Sequence, residues 1–295
     1  MSIIDGIVAN TGNGKTRIIE GLPFGDYCKI DAINNSSLKK ILRSPKHYKE
    51  QEPQETKALV VGHAAHTATL EPHLFNHNYV VFGENLTKTT KEGKAEWNRL
   101  EATGKTILRH KEAVDAWQIA SATILSKTGL KLLVGRPELT VITELHGVLC
   151  KARFDNLYNS ESEHDWFMSV FGDDAEPGNY IVDLKTTEDA SPKFEKSIVS
   201  YGYDMQDAFY TDVGNAAGQD IKGFIFVVVE SAAPYAVGVY MLTPEWRQIG
   251  REKYQHALDT YAECCFSEEW PGYSPKIVRL APPAYVVKSH ALKFN

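Results

Sequence analysis

Cysteine is scarce in this 295-residue chain: the four are Cys28, Cys150, Cys264 and Cys265. None forms a C-x-x-C pair, and the adjacent pair at 264–265 is a poor chelate, so neither a zinc site nor an iron–sulfur cluster is expected. Reduced thiols in a cytoplasmic protein are the simpler reading. Long hydrophobic runs are missing too, and none could cross a bilayer. The start, MSIIDGIVANTGNGKT, lacks the basic residues and sustained apolar stretch of a secretion signal. Positive charge is in deficit, with a net charge of -6, which argues against the broad basic surface of a sequence-reading DNA binder. A nucleic-acid enzyme is not excluded, because bound metals and a local basic groove can supply the positive field. Internal repeats are absent.

What is present is an ordinary globular composition, 43% hydrophobic and 24% charged, sized for one large α/β domain or two small ones. Residues 1–30 carry no clear period. Asn35-Ser36-Ser37 reads as a helix cap before Leu38, Ile41 and Leu42 on one face, with a stop at Ser44-Pro45. A mostly buried helix is expected over 56–70, and two more helices within 90–130. LTVITELHGVLCKARFDNLY then reads as two strands hinged at Gly147. After a polar stretch at 159–179 come a strand at 181–185, a helix near 197–213, the strand pair KGFIFVVVE and PYAVGVYML, and a helix opened by Thr243-Pro244. The order predicts a mixed sheet flanked by helices, an α/β class with α+β character. Residues 31–295 are read as one domain behind a 30-residue N-terminal segment.

The segment Ile181-Val182-Asp183-Leu184-Lys185 is the most informative. In a strand, residues two apart share a face, so Asp183 and Lys185 project together while Val182 and Leu184 pack. Burying that pair is costly unless the charges are satisfied or used. A carboxylate to hold Mg²⁺ beside an ammonium to steady water or phosphate is what a metal-dependent phosphodiesterase requires. The same spacing at Glu55/Lys57, Glu92/Lys94 and Asp220/Lys222 lies in polar surroundings, where solvated pairs are expected.

Asp155 closes the strand KARFDNLY. It is a strand-end residue or, beside Asp183 on a neighbouring strand, half of a two-carboxylate site for a hard cation. On the buried helix, Gly62 and His66 stand four apart; spacing alone allows His63 or His66 as a further ligand, or a core histidine bonded to a carbonyl. Gln206 and Tyr210 share one face of the next helix, either as an amphipathic edge or as a polar pair aimed at the site.

G-x-x-x-H (Gly62, His66), an isolated acid (Asp155), D-x-K (Asp183, Lys185) and Q-x-x-x-Y (Gln206, Tyr210), in that order, resemble the PD-(D/E)XK nuclease superfamily. The chain looks most like phage and prophage exonucleases of the RecE type, exonuclease VIII, over roughly residues 30–275. NSSLKKILRSPKHY, YGYDMQDAFYTD and EEWPGY add to the likeness. The resemblance implies a restriction-endonuclease-like core. His66, Asp155, Asp183 and the Leu184 backbone carbonyl would hold Mg²⁺ (Mn²⁺ substituting), with two ions expected. Lys185 would orient or deprotonate the water, Gln206 and Tyr210 would support lysine and phosphate, and Glu144 is a possible acid behind the ligands or a surface pair. The implied reaction is 5′→3′ digestion of one strand at double-stranded DNA ends. A ring-shaped homo-oligomer and a single-strand annealing protein are the implied partners, in the cytoplasm of a bacterium or phage-infected host. An inactive DNA-end-binding protein of the same fold is the alternative.

Three further segments carry expectations. Residues 159–179, unusually long for this position in relatives, carry Glu161, Glu163, Asp165, Asp173, Asp174 and Glu176. They are read as a solvated loop that points away from the DNA groove or contacts a partner protein, so that its deletion over 160–178 leaves hydrolysis intact. Lys39, Lys40, Arg43, Lys46 and Lys49 form either a solvated face or a phosphate-binding one, with Arg43 foremost. Ala9–Thr16 fits a relaxed phosphate loop, but such a loop must open a helix, and Gly21, Pro23 and Gly25 leave barely one turn.

Overall fold

The computed structural model describes residues 16–52, 56–172, 176–284 and 286–288. Its strands are β1 (Arg17–Ile19), β2 (Tyr79–Phe82), β3 (Thr106–Arg109), β4 (Arg136–Leu145), β5 (Val148–Asn159), β6 (Asn179–Thr187), β7 (Ile221–Glu230) and β8 (Val237–Met241). Six of them form one sheet in the order β1-β4-β5-β6-β7-β8; β2 and β3 pair separately. Within the large sheet β6 and β7 run parallel and the other neighbours antiparallel. This is the mixed sheet that the sequence pattern predicts.

Local chemistry explains the turns. β4 and β5 are joined by His146 and Gly147, both at positive φ (51° and 75°), the two-residue hairpin turn whose twist matches its strands. The helix expected near 197–213 is instead two, Glu195–Tyr201 and Tyr203–Ala216, broken at Gly202 in the left-handed conformation, which glycine adopts without steric cost. The short parallel pair β2–β3, with the helix Lys91–Glu101 between its strands, escaped the sequence reading because four-residue strands carry too little period.

The sheet is covered on both sides. One core joins Ile181, Phe224 and Phe226 to Leu38, Phe209 and Tyr254 from the helices Asn35–Arg43, Tyr203–Ala216 and Pro244–Ser267. The other joins Val182, Leu184 and Val227 to Ala64, Ile119 and Phe167 from the helices Lys57–Leu70, His110–Leu125 and His164–Phe171. The run Phe224–Val229 is buried on both faces, as a parallel central strand should be.

Two expectations need correction here. The acidic stretch 159–179 is not a solvated loop. It contains the helix His164–Phe171, and Phe167 is fully buried against Tyr158, Tyr180 and Phe171. The charge count hid the apolar set Trp166, Phe167, Met168 and Phe171, which packs on the second core. The acids stay outside, with Glu163 pairing Lys131 at 2.7 Å; Asp173 and Asp174 lie outside the described residues. Second, the N-terminal segment does not stand apart where it is described. β1 joins the sheet edge against β4, and Leu22, Tyr27 and Ile30 pack on Ile142. Most of the phosphate-loop match, 9–15, lies outside the described residues. Immediately after it the chain forms strand β1, so the helix such a loop must open is missing.

Candidate active site

The site forms where β5 and β6 part. Their pairing runs from Asn159↔Asn179 to Asn156↔Val182 and ends there. Beyond that point the Leu184 N–H donates to a side chain, Asp155 Oδ2, at 2.8 Å. The strands open into a notch with Asp155 on one wall and Asp183 on the other. The helix Lys57–Leu70 enters from one face. A methyl on Gly62 would sit 3.4 Å from Thr186 Oγ1, so the helix lies close on β6, and one turn later His66 Nδ1 is 3.4 Å from Asp155 Oδ2. The helix Tyr203–Ala216 enters from the other face, where Gln206 Nε2 donates to Asp183 Oδ1 at 2.7 Å. Lys185 Nζ lies 2.5 Å from Asp183 Oδ2 and 5.0 Å from the Tyr203 ring centre.

Besides Tyr203, two residues join this group that the sequence reading did not assign to it. Pro137 pairs with Asn156 and Leu139 with Phe154, which sets Glu138 opposite Asp155. Its φ is +52°, a strained conformation for a side chain other than glycine. Arg153, two residues before Asp155, forms a close ion pair with Glu138 and reaches Glu71 at 3.9 Å. Strand alternation alone could have flagged Arg153; Glu138 depended on register.

Burial dominates the electrostatics. Burial, then the Asp183 charge, pushes Asp155 up to about 7, and burial with Asp155 pushes Glu138 to about 7. Burial, aided by Lys185, lowers His66, which favours neutral imidazole. Burial works against the Lys185 ammonium, but the Asp183 and Asp155 charges outweigh it and hold its pKa above the usual lysine value. Lys39 Nζ lies 5.6 Å from the centre of the same Tyr203 ring; burial and Lys185 bring its pKa down to about 8.

These features fit a divalent cation. The donors are two carboxylates and a neutral imidazole, a set suited to hard or borderline ions. Asp183 Oδ2 is enclosed and, apart from the Lys185 ion pair, has no hydrogen-bond partner. Burial and mutual repulsion raise the two carboxyls, and a bound cation would offset both. Among the described residues no three such side chains already form a cage; Asp183 is turned onto Lys185 and Gln206, so a metal would compete with the lysine for it.

Other predicted residues lie elsewhere. His63 is exposed, one turn from His66, its ring 6.2 Å from Phe24. Tyr210 packs between Phe154 and Phe224, hydrogen-bonds the Arg153 backbone and feels the charges of Asp183 and Asp155, while the ring beneath the Lys185 ammonium is that of Tyr203. Glu144 is exposed and pairs with Leu149 near the hairpin turn, six residues and about 20 Å along β5 from Asp155. The basic set divides. Lys39 joins the site, while Lys40 donates to the Gln51 carbonyl at 2.7 Å. Arg43 binds the Tyr273 hydroxyl at 3.2 Å, Lys49 covers Trp270 and Lys46 pairs with Glu50 at 3.6 Å.

The profile of a PDDEXK-like domain of unknown function (DUF3799) matches residues 34–166 and 170–280. A crystal structure from Eubacterium rectale, described as a "putative exonuclease", superposes with a TM-score of 0.54 at 13% identity, over 88% of this chain and 93% of that one. At that identity the likeness is one of fold. A search of the curated proteins finds no match.

Proposed function

Because the chain belongs to the DUF3799 family of PDDEXK-like domains, we propose that it is a divalent-metal-dependent DNA exonuclease of the RecE type. One observation carries this reading: Asp155 and Asp183 face each other where two central strands part, with Lys185 beside them and His66 and Gln206 closing the two faces. PDDEXK nucleases generally use divalent metals, and here Asp155, Asp183 and His66 would hold the ion, with the Leu184 carbonyl adjacent. Magnesium is proposed, with manganese as substitute, and two ions as the working number. Bound there, the cation supplies Lewis-acid polarisation of phosphate and water.

The chain's own residues divide the remaining tasks. Lys185, protonated at neutral pH by its carboxylate neighbours, contributes positive charge where charge builds on the phosphorane and orients the water; it is not a free base while paired with Asp183. Gln206 fixes the rotation of Asp183. Lys39 adds a second ammonium beside Tyr203 and draws the phosphate backbone toward the notch. Glu138, held by Arg153, serves as a third acid next to Asp155. We propose linear duplex DNA ends as substrate, 5′→3′ polarity, a ring of identical subunits and a single-strand annealing partner.

The test is degradation of linear duplex labelled at its 5′ or 3′ terminus, with Mg²⁺, with EDTA and with Lys185→Ala. Metal-dependent release of mononucleotides from the 5′ end, lost in the variant, is expected. Tight end binding without degradation of any DNA form would move the protein to an inactive end-binding class.

A further inference from the structure

The N-terminal segment carries a feature that the nuclease chemistry leaves unused. Phe24 opens the helix Phe24–Lys29 and is 57% exposed. The Arg153 guanidinium lies 5.8 Å from its ring centre, the His63 ring 6.2 Å away and the Tyr27 ring 6.1 Å away. Arg153 stands two residues before Asp155 and grips Glu138, and His63 stands one turn before His66 on the same helix. The exposed ring therefore borders the carboxylate notch.

Its mounting is firm. Lys151 on β5 donates to the Tyr27 and Ile30 carbonyls at 2.8 and 2.7 Å. Arg153, on the same strand, donates to the Leu22 carbonyl. Two cations of the strand that bears Asp155 thus clamp residues 22–30 beside the site. Residues 22–30 precede the family match, which begins at residue 34.

Resting on the nuclease reading above, we propose that Phe24, flanked by His63 and Arg153, is a stacking platform for the nucleobase at the end of the DNA strand being cut. A ring 57% exposed, with a guanidinium over it and an imidazole beside it, offers π surface and positive charge to a base of any sequence, since every base offers a π face. Next to the notch proposed to take the scissile phosphate, the aromatic and cationic groups fit the base of that same strand.

The experiment uses the full chain and duplexes ending in 2-aminopurine or in an abasic residue. Binding is followed by 2-aminopurine quenching in a Lys185→Ala background, and cleavage with Lys185 intact. Phe24→Ala should abolish the quenching and raise KM for the intact duplex about fivefold or more. It should leave the abasic duplex unchanged relative to the parent, and Phe24→Trp should restore both signals. A ring that only braces the fold would instead lower activity equally on both duplexes. That result, or unchanged quenching and KM in Phe24→Ala, overturns the platform while parental activity upholds the nuclease. A parent that neither binds nor cuts DNA overturns both, and is told apart by the parent alone.

Discussion

Asp155→Asn should stabilise the metal-free protein while removing its response to metal. Asparagine retains an oxygen to accept from the Leu184 N–H, so the notch stays closed, and the buried charge disappears. The penalty follows from linkage. Asp155 moves from 3.8 to about 7 on folding, and each unit is worth about 1.4 kcal/mol. The full shift corresponds to about 4 kcal/mol, and screening through the 15% of the side chain that meets solvent brings the expectation to about 2–4 kcal/mol. The sign is fixed by proton counts. Between pH 4 and 7 the folded state binds more protons than the unfolded one, so wild-type stability falls as pH rises and levels off above 7. The variant lacks this fall at residue 155. Its advantage should be near zero at pH 4 and complete at pH 8, or about 3–6 °C in Tm for a chain of this size. Glu138, itself raised to about 7 partly by Asp155, should titrate lower in the variant and steepen the contrast. Thermal unfolding in EDTA across pH 4–8, repeated with Mg²⁺ or Mn²⁺, measures all of this; metal should raise the wild-type Tm and leave the variant nearly unmoved. A variant less stable than wild type at pH 8, or a difference independent of pH, would refute the argument that the notch holds uncompensated carboxylates.

Two other perturbations reach separate parts of the molecule. Phe167→Ala, at a residue wholly buried in the acidic stretch, should cost about 3–5 kcal/mol in chemical denaturation, whereas Asp165→Asn on the same helix should cost under about 0.5 kcal/mol; equal costs would restore the solvated-loop view. Lys39 should lose its charge as pH passes about 8. DNA affinity at fixed salt should therefore fall between pH 7 and 9, and Lys39→Gln should flatten that fall, read by fluorescence anisotropy.

Elements with strong local signals were legible in the chain. The β4–β5 hairpin announced itself by Gly147, the helix Lys57–Leu70 by its apolar run, and β6 by an acid and a lysine on an otherwise apolar strand. The order of the motifs led to the PDDEXK fold. What escaped depends on tertiary register. Glu138 was overlooked in favour of Glu144 because only the β4–β5 pairing decides which acid of that strand meets Asp155. Tyr203, under the Lys185 ammonium, was not singled out because the break at Gly202 sets where its helix begins. Lys39 was grouped with its helix neighbours, although one turn separates a lysine over Tyr203 from an arginine tied to Tyr273. Phe167 was masked by the acids around it.

The parting of β5 and β6 has a mechanical corollary. His66 is delivered by a helix seated in one core and Gln206 by a helix seated in the other, so the notch works as a caliper whose jaws belong to separate layers. Slippage between the layers, too slight to unfold either, would widen the jaws and separate imidazole from amide. Heat or dilute denaturant should then silence the centre before the sheet melts, and substitutions deep in either layer can tune the chemistry without touching one of its atoms.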